Sequence, residues 1–154
     1  MGLMTVRQAR REDARDIATM LWAFNTEFDT WVPDVTVLER HFVAMLARDD
    51  VAVVMAEDPG PAGFGLVTLR PSPYYAGPVA SLDEMYVVPA RRGHGLGGAI
   101  IELVLRLLRD RSCGELQINV DEEDEGARRF YERHGFTNVQ PGSTDRMLCY
   151  LQEL

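Results

Sequence analysis

The stretch LDEMYVVPARRGHGLGGAI, Leu82–Ile100, changes character twice. It opens as a strand-like run and stops at Pro89. It then passes through RRGHGLGG, Arg91–Gly98, and runs on into apolar residues at helical spacing. A glycine-rich loop entering a helix presents backbone N–H groups and the positive end of the helix dipole, an arrangement that binds phosphate. Small residues admit close backbone approach, and Arg91 or Arg92 could add charge. A simple turn needs one glycine for a positive φ. Gly93, Gly95, Gly97 and Gly98 beside two arginines point to a ligand instead.

Gly93, Gly95 and Gly98 satisfy the GxGxxG fingerprint of dinucleotide sites. The context does not fit. In that unit the first glycine follows the strand almost directly, whereas Pro89, Ala90, Arg91 and Arg92 intervene here. Only about 55 residues follow the loop, too few for a doubly wound sheet of the usual size. A phosphate loop of the GxxxxGK[ST] type fails too, because all 16 basic residues are arginine. That absence also excludes a Schiff-base lysine.

Before the loop, Thr5–Ala9 reads as a strand, and Ile17, Met20, Leu21, Phe24 and Phe28 give a helix over roughly 13–28. A second helix carries Leu38, Phe42, Met45 and Leu46, with Thr36 and Glu39 as a capping box. Val51–Ala56 and Phe64–Leu69 read as a hairpin around EDPGPAG, and Leu82–Val88 as the next strand. Period two on that strand puts Leu82, Glu84 and Tyr86 on one face and Asp83, Met85 and Val87 on the other. After the loop, Ala99–Arg109 predicts a buried helix, Leu116–Val120 a strand, and Ala127–His134 a helix that Gly135 ends in a left-handed cap. Met147–Leu151 predicts a last strand.

The 154 residues predict one domain, 1–154, able to bury roughly 70% of its unfolded surface without a metal or disulfide. Net charge of −8 argues against nucleic acid and suits a cationic substrate. His41, His94 and His134 stand apart, and Cys113 and Cys149 form no CxxC, so no metal site is expected. The two thiols read as buried ones in a reducing compartment. No apolar signal core or membrane-length run occurs, so a cytoplasmic protein without membrane association is expected. The opening Met1-Gly2 lacks the Ser or Thr at position six that a myristoylation signal requires.

The central stretch resembles the signature of the GNAT superfamily of acyl-CoA N-acyltransferases: a strand E-x-Y-V-x-P, then R/Q-x-x-G-x-G/A opening a helix. Arg92, Gly95 and Gly97 fill the three named places of that loop. ARRFYERHGF, Ala127–Phe136, resembles the second motif, A-x-x-F-Y-x-x-x-G-F. The order of elements is similar as well. The resemblance implies an α/β (α+β) fold: a mixed sheet of about six to seven strands, splayed between the central pair and flanked by about four helices. It implies acetyl-CoA, with the pyrophosphate on the backbone of Arg91, Arg92, Gly93, His94, Gly95, Leu96, Gly97 and Gly98. The pantetheine arm would pair with the strand at Met85, Tyr86 and Val87. Ala127, Phe130 and Tyr131 of the second motif are further cofactor contacts. The family often has Asn where Asp124 stands, so Asp124 is either a cofactor contact or simply the helix N-cap. A homodimer is a family expectation.

The resemblance also implies direct acetyl transfer to an amine. Tyr131 matches the tyrosine near the CoA sulfur, a candidate acid for the leaving thiolate, while a core aromatic is its bland reading; Phe130 can fill the core while Tyr131 turns to the wedge. The Val87 N–H could serve the thioester oxygen. Glu84 is the favoured base, Asp83 its rival, and both could equally be solvated carboxylates. Acceptor specificity falls to the loops NTEFDTWVPD and PSPYYAGP. There Glu27, Asp29, Asp34, Trp31, Tyr74 and Tyr75, with Glu84, would attract the ammonium of a cationic small molecule or peptide. The rival reading is a non-catalytic acyl-CoA sensor or docking module.

Overall fold

The computed structural model describes residues 3–154; Met1 and Gly2, with the lipidation question they raise, lie outside the described residues. Residues up to Gln117 and residues from Ile118 onward form two compact units.

The first unit holds a five-stranded sheet in the order β1-β2-β3-β4-β5: β1 Thr5–Gln8, β2 Val51–Glu57, β3 Pro61–Arg70, β4 Val79–Val87 and β5 Glu115–Gln117. The first four strands pair antiparallel, and β4–β5 pair parallel. Helices α1 (Ala14–Glu27) and α2 (Val35–Leu46) lie between β1 and β2 in the chain, and α3 (Leu96–Asp110) between β4 and β5.

Alternation along the strands builds two apolar layers. Val53, Met55, Phe64, Leu66 and Tyr86 pack with Ile17, Leu38 and Phe42 of α1 and α2. On the opposite face, α3 buries Ile100, Ile101 and Val104. Gly65 allows that approach: a Cβ there would stand 3.0 Å from Cγ2 of Ile100. α2 is capped by Asp34, whose side chain accepts from the Val37 N–H at 3.0 Å. The expected Thr36–Glu39 box does not form. Glu39 instead accepts from Arg15 Nη1 at 2.9 Å, because the true cap lies two residues earlier, where the chain turns out of VPD.

β4 departs from simple period two. Leu66 faces Glu84 while Val67 faces Leu82, so Asp83 is an extra residue in β4. Such a bulge inverts the side-chain phase on either side of it. Leu82 therefore turns towards α3, and Glu84 with Tyr86 towards α1 and α2. This corrects the expected grouping of Leu82 with Glu84.

The second unit contains α4 (Glu125–Arg133). Asp124 caps it, accepting from the Ala127 N–H at 3.0 Å, and Gly135 follows with φ 90°. The expected strand at Met147–Leu151 does not form. Among the described residues only an isolated bridge, Val139 with Arg146, marks this region. Nor does β5 extend to Val120. A strand needs a paired edge, and apolar content alone does not supply one. Among the described residues five strands thus stand where six or seven were expected. Cys149 is consequently exposed rather than buried, and Cys113 half-buried; both are free thiols.

Candidate active site

The loop after β4 enters α3 through Gly95, the helix N-cap, at φ 83°, with Gly93 at φ 78°. No described side chain caps this helix. The first-turn N–H groups of Leu96, Gly97 and Gly98 have no acceptor one turn earlier within the helix. A Cβ on Gly93 or Gly95 would meet no atom within 4 Å, so the space over the loop is open. Open backbone donors at the positive end of a 15-residue helix fit the pyrophosphate of acetyl-CoA.

The two arginines are arranged otherwise than expected. Nη1 and Nη2 of Arg92 each donate to a Glu27 oxygen at 2.7 Å, and Nε donates to the Val87 carbonyl at 3.0 Å. Its guanidinium also lies 5.5 Å from the Tyr86 ring centre. Arg91 reaches back to Asp58, donating to its carbonyl at 2.9 Å. Both guanidiniums are engaged with protein acceptors, so an anion at the loop would meet chiefly its backbone N–H groups. Arg92 in turn holds the Glu27 carboxyl below the usual carboxylate range, chiefly by direct hydrogen bonding.

Among the described residues, β4 is unpaired on one edge beyond Ser81. The Val88 N–H donates to the Ala62 carbonyl, so Tyr86 and Val88 turn their amides to β3 while Met85 and Val87 turn theirs away. On that far side β5 pairs only with Val79–Ser81. From Leu82 onward, no β5 residue pairs with β4.

The bulge sits on this open stretch. Asp83 accepts from Thr68 Oγ1 at 2.6 Å, and Thr68 shares the face of Leu66, opposite Glu84. Asp83 and Glu84 therefore share one face instead of opposing each other. Glu84 is half-buried, and burial, then the Asp83 charge, pushes its carboxyl above the ordinary range. A half-buried carboxylate with raised basicity has the character of a general base.

The acceptor residues expected as one acidic, aromatic mouth are divided. Glu27 is paired with Arg92, and Asp34 caps α2. Asp29, with φ 52°, and Trp31 are exposed. Tyr74 and Tyr75 belong to the other end of β4, where Tyr75 donates to Glu115 at 3.2 Å and Glu115 pairs with Val79. There they line a cavity of about 340 Å³ with Arg70, Glu115 and Gln117. These last three were not anticipated. They meet only through pairing across β3, β4 and β5, which leaves no local signal in the sequence.

His94 is exposed in the glycine loop. In the second unit Tyr131 is buried, its ring 5.1 Å from Phe130 and 5.4 Å from Phe136. Phe130 is the half-exposed member, the reverse of the expected division. Asp124, besides capping α4, is itself exposed, and Ala127 is half-buried. Among the described residues no group of three His, Cys, Asp or Glu side chains gathers around a metal position, and no helix is long and apolar enough to cross a membrane.

A glycine-lined helix entrance and a bulged strand with an unpaired edge thus adjoin in a sheet flanked by helices on both faces. The profile of the acetyltransferase (GNAT) family matches residues 14–136, and the chain belongs to that family. A mycothiol acetyltransferase of Catenulispora acidiphila is 44% identical over 69 residues, 43% of this chain and 21% of that protein. An aminoglycoside N(6')-acetyltransferase type 1 of Klebsiella aerogenes is 31% identical over 91 residues, 58% of this chain and 60% of that protein. The chain therefore spans under two thirds of either relative's length. A presumed acetyltransferase from Arthrobacter sp. FB24 is 45% identical, with TM-score 0.91 over 100% of this chain and 98% of its own. An aminoglycoside acetyltransferase from an uncultured soil metagenomic sample, solved with sisomicin, shares the fold at 15% identity and TM-score 0.79, over 98% of this chain and 96% of its own.

Proposed function

We propose that the chain is an acetyl-CoA-dependent N-acetyltransferase that moves the acetyl group directly to a primary amine of a small molecule or peptide. The observation that carries the reading is the β4 bulge. It puts two carboxylates, Asp83 and Glu84, on one face of the strand whose open edge leads into the glycine loop. The family profile, which runs through both units, supports treating 1–154 as one working domain.

Acetyl-CoA supplies an activated acyl carbon and a thiolate leaving group. The backbone amides of 95–98 hold its pyrophosphate. The outward amides of Met85 and Val87 pair with the pantetheine arm, and that of Val87 steadies charge on the thioester oxygen. Glu84, with Asp83 beside it, takes a proton from the ammonium. The freed lone pair forms the N–C bond as the C–S bond breaks. By its likeness to the second motif, Tyr131 gives a proton to the departing sulfur. Glu84 suits its part because its raised pKa lies nearer that of the amine than an ordinary carboxylate's does.

A thiol-release assay with acetyl-CoA and a panel of primary amines tests this. Amine-dependent release is expected. Cofactor binding without release for any amine would leave the sensor or docking reading standing.

A further inference from the structure

We propose that the cavity at the N-terminal end of β4 is the acceptor pocket, and that Arg70 there binds a carboxylate carried by the acceptor. The inference rests on the acetyltransferase reading above. It narrows the substrate to amines whose other end is anionic.

The cavity and the glycine loop stand at opposite ends of β4. The loop follows Val87; the cavity lies at Val79, which pairs with Arg70 on one side and Glu115 on the other. Asp83 and Glu84 lie between. Thr68, bonded to Asp83, is two residues from Arg70 on β3 and on the same face. An acceptor entering from the cavity and a thioester entering from the loop meet at the carboxylate pair.

The walls are already formed. The loop of residues 71–78 is pinned down, since a Cβ on Gly114 would collide with the Tyr75 ring and one on Gly77 with the Ser112 carbonyl. Its Tyr75 is tied to β5 through the Glu115 carboxylate. A site with fixed walls needs little ordering when it binds.

The hydrogen bonds already made decide the ligand's charge. Glu115 accepts from Tyr75 through Oε2 at 3.2 Å and from Gln117 through Oε1 at 2.5 Å. The Gln117 carbonyl in turn accepts from Arg70 Nη2 at 3.0 Å. Each Glu115 oxygen thus already accepts from a protein donor, and about half of its acceptor capacity is used. Arg70 is different. A guanidinium carries five N–H donors, and one from Arg70 is engaged among the described residues. The strong unused donors of the cavity are thus cationic, and their complement is a carboxylate. Tyr74 and Pro71 offer apolar wall for a short alkyl or peptide link.

Geometry sets the length. Arg70 is a two-residue step along the strand from Thr68, roughly 7 Å, and the side-chain reach extends this to about 7–10 Å between carboxylate and reacting nitrogen. An α-amino acid, with one carbon between the two groups, is too short. An ω-amino acid or a dipeptide fits.

The test uses the whole chain with acetyl-CoA and three matched probes: 6-aminohexanoate, its amide, and 1,6-diaminohexane. The carboxylate should exceed the amide in kcat/KM by about tenfold, the size of one charge-assisted hydrogen bond at an accessible site. In Arg70→Gln that ratio should fall to about one, and in Arg70→Glu the diamine should become the preferred acceptor. Thermal shift with 6-aminohexanoate adds a readout independent of turnover. Release with no carboxylate preference, or equal losses for all three probes in Arg70→Gln, overturns the pocket and leaves the acetyltransferase reading intact. A carboxylate-dependent shift that Arg70→Gln abolishes, without turnover, keeps the pocket and overturns the acetyltransferase reading. Neither release nor shift overturns both.

Discussion

Glu27 and Arg92, 65 residues apart in the chain, meet through two parallel hydrogen bonds of 2.7 Å each. Glu27 is the last residue of α1, and Arg92 begins the glycine loop. The pair therefore fastens the end of α1 to the C-terminal end of β4, where Arg92 also holds the Val87 carbonyl. One signature arginine thereby joins the segment leading to residues 28–34 with the segment leading to the helix entrance.

This pairing has a thermodynamic signature. Both side chains keep partial exposure, 43% and 29%, so solvent screening limits the gain. Glu27→Gln and Arg92→Gln should each lower Tm, and the double variant should lose less than the sum. A double-mutant cycle by urea denaturation should return a coupling of about 1 kcal/mol. Additive losses would mean that the two residues act separately.

Gly95 combines a left-handed φ with open space over its α-carbon. Acetyl-CoA should raise Tm, because a ligand that binds the folded state alone stabilises it by mass action. Gly95→Val should remove that shift by filling the space. It also strains the backbone, so Gly95→Asn serves as partner, since Asn tolerates left-handed φ. Asn should leave the apo Tm nearer wild type and still weaken cofactor binding. Undiminished affinity in both variants would remove the loop from the cofactor site.

Tyr131→Phe should lower kcat by roughly ten- to a thousandfold, the span of a general acid's contribution, with little change in acetyl-CoA affinity. Steady-state kinetics beside a binding isotherm separates the two. Wild-type kcat would mean that the Tyr131 hydroxyl plays no catalytic part.

What could be read in the sequence was what local chemistry dictates. The strand, glycine loop and helix around Gly95 are contiguous. Asp124 as a cap and Gly135 as a helix end each depend on a few neighbouring bonds. Pairing escaped that reading. The extra residue at Asp83 shows only against β3, and it reversed the expected face of Leu82. Glu27 looked like a free acid until the fold supplied Arg92. Arg70 comes from β3, Glu115 and Gln117 from β5, and they carry no shared motif. Met147–Leu151 has strand-like composition but no partner edge. Thr36 lost the cap to Asp34 because both positions suit it, and only the chain's exit from VPD decides.

Asp13 carries the main buried charge of the first unit. It accepts from Arg7 Nη1 at 2.7 Å and Nη2 at 2.9 Å, and from the Arg10 N–H at 2.7 Å. Hydrogen bonding to Arg7, the largest cause, holds its carboxyl below the ordinary range. A depressed carboxylate pKa contributes stability above the unfolded pKa, and that stability is lost as pH falls through the folded pKa. Asp13→Asn should therefore cost about 3 kcal/mol near neutrality, since it leaves the Arg7 guanidinium short of its main partner. The difference from wild type should narrow in acid. Denaturation at pH 7 and pH 3 measures both; a penalty independent of pH would assign Asp13 a purely steric role.

Glu84 works in the opposite sense. Its pKa is raised, by burial first and by Asp83 second, so the folded protein disfavours the charged form. Stability linked to this group is present below the unfolded pKa and is lost as pH rises through the folded one. Glu84→Gln removes the half-buried charge and keeps the shape. At pH 7–8 the variant should thus melt at or above the wild-type temperature, and the gain should vanish in acid, where Glu84 is itself neutral. Activity should move the other way. The wild-type kcat/KM should rise with pH as Glu84 ionises and more free amine becomes available. Glu84→Gln should lose most near neutrality, where the acceptor is an ammonium ion, and recover partly at high pH, where free amine no longer needs a base. A more stable but slower enzyme is the mark of a residue kept at a cost for chemistry. Lower stability with a uniform loss at every pH would instead make Glu84 structural, and an unchanged pH profile would pass the proton to Asp83.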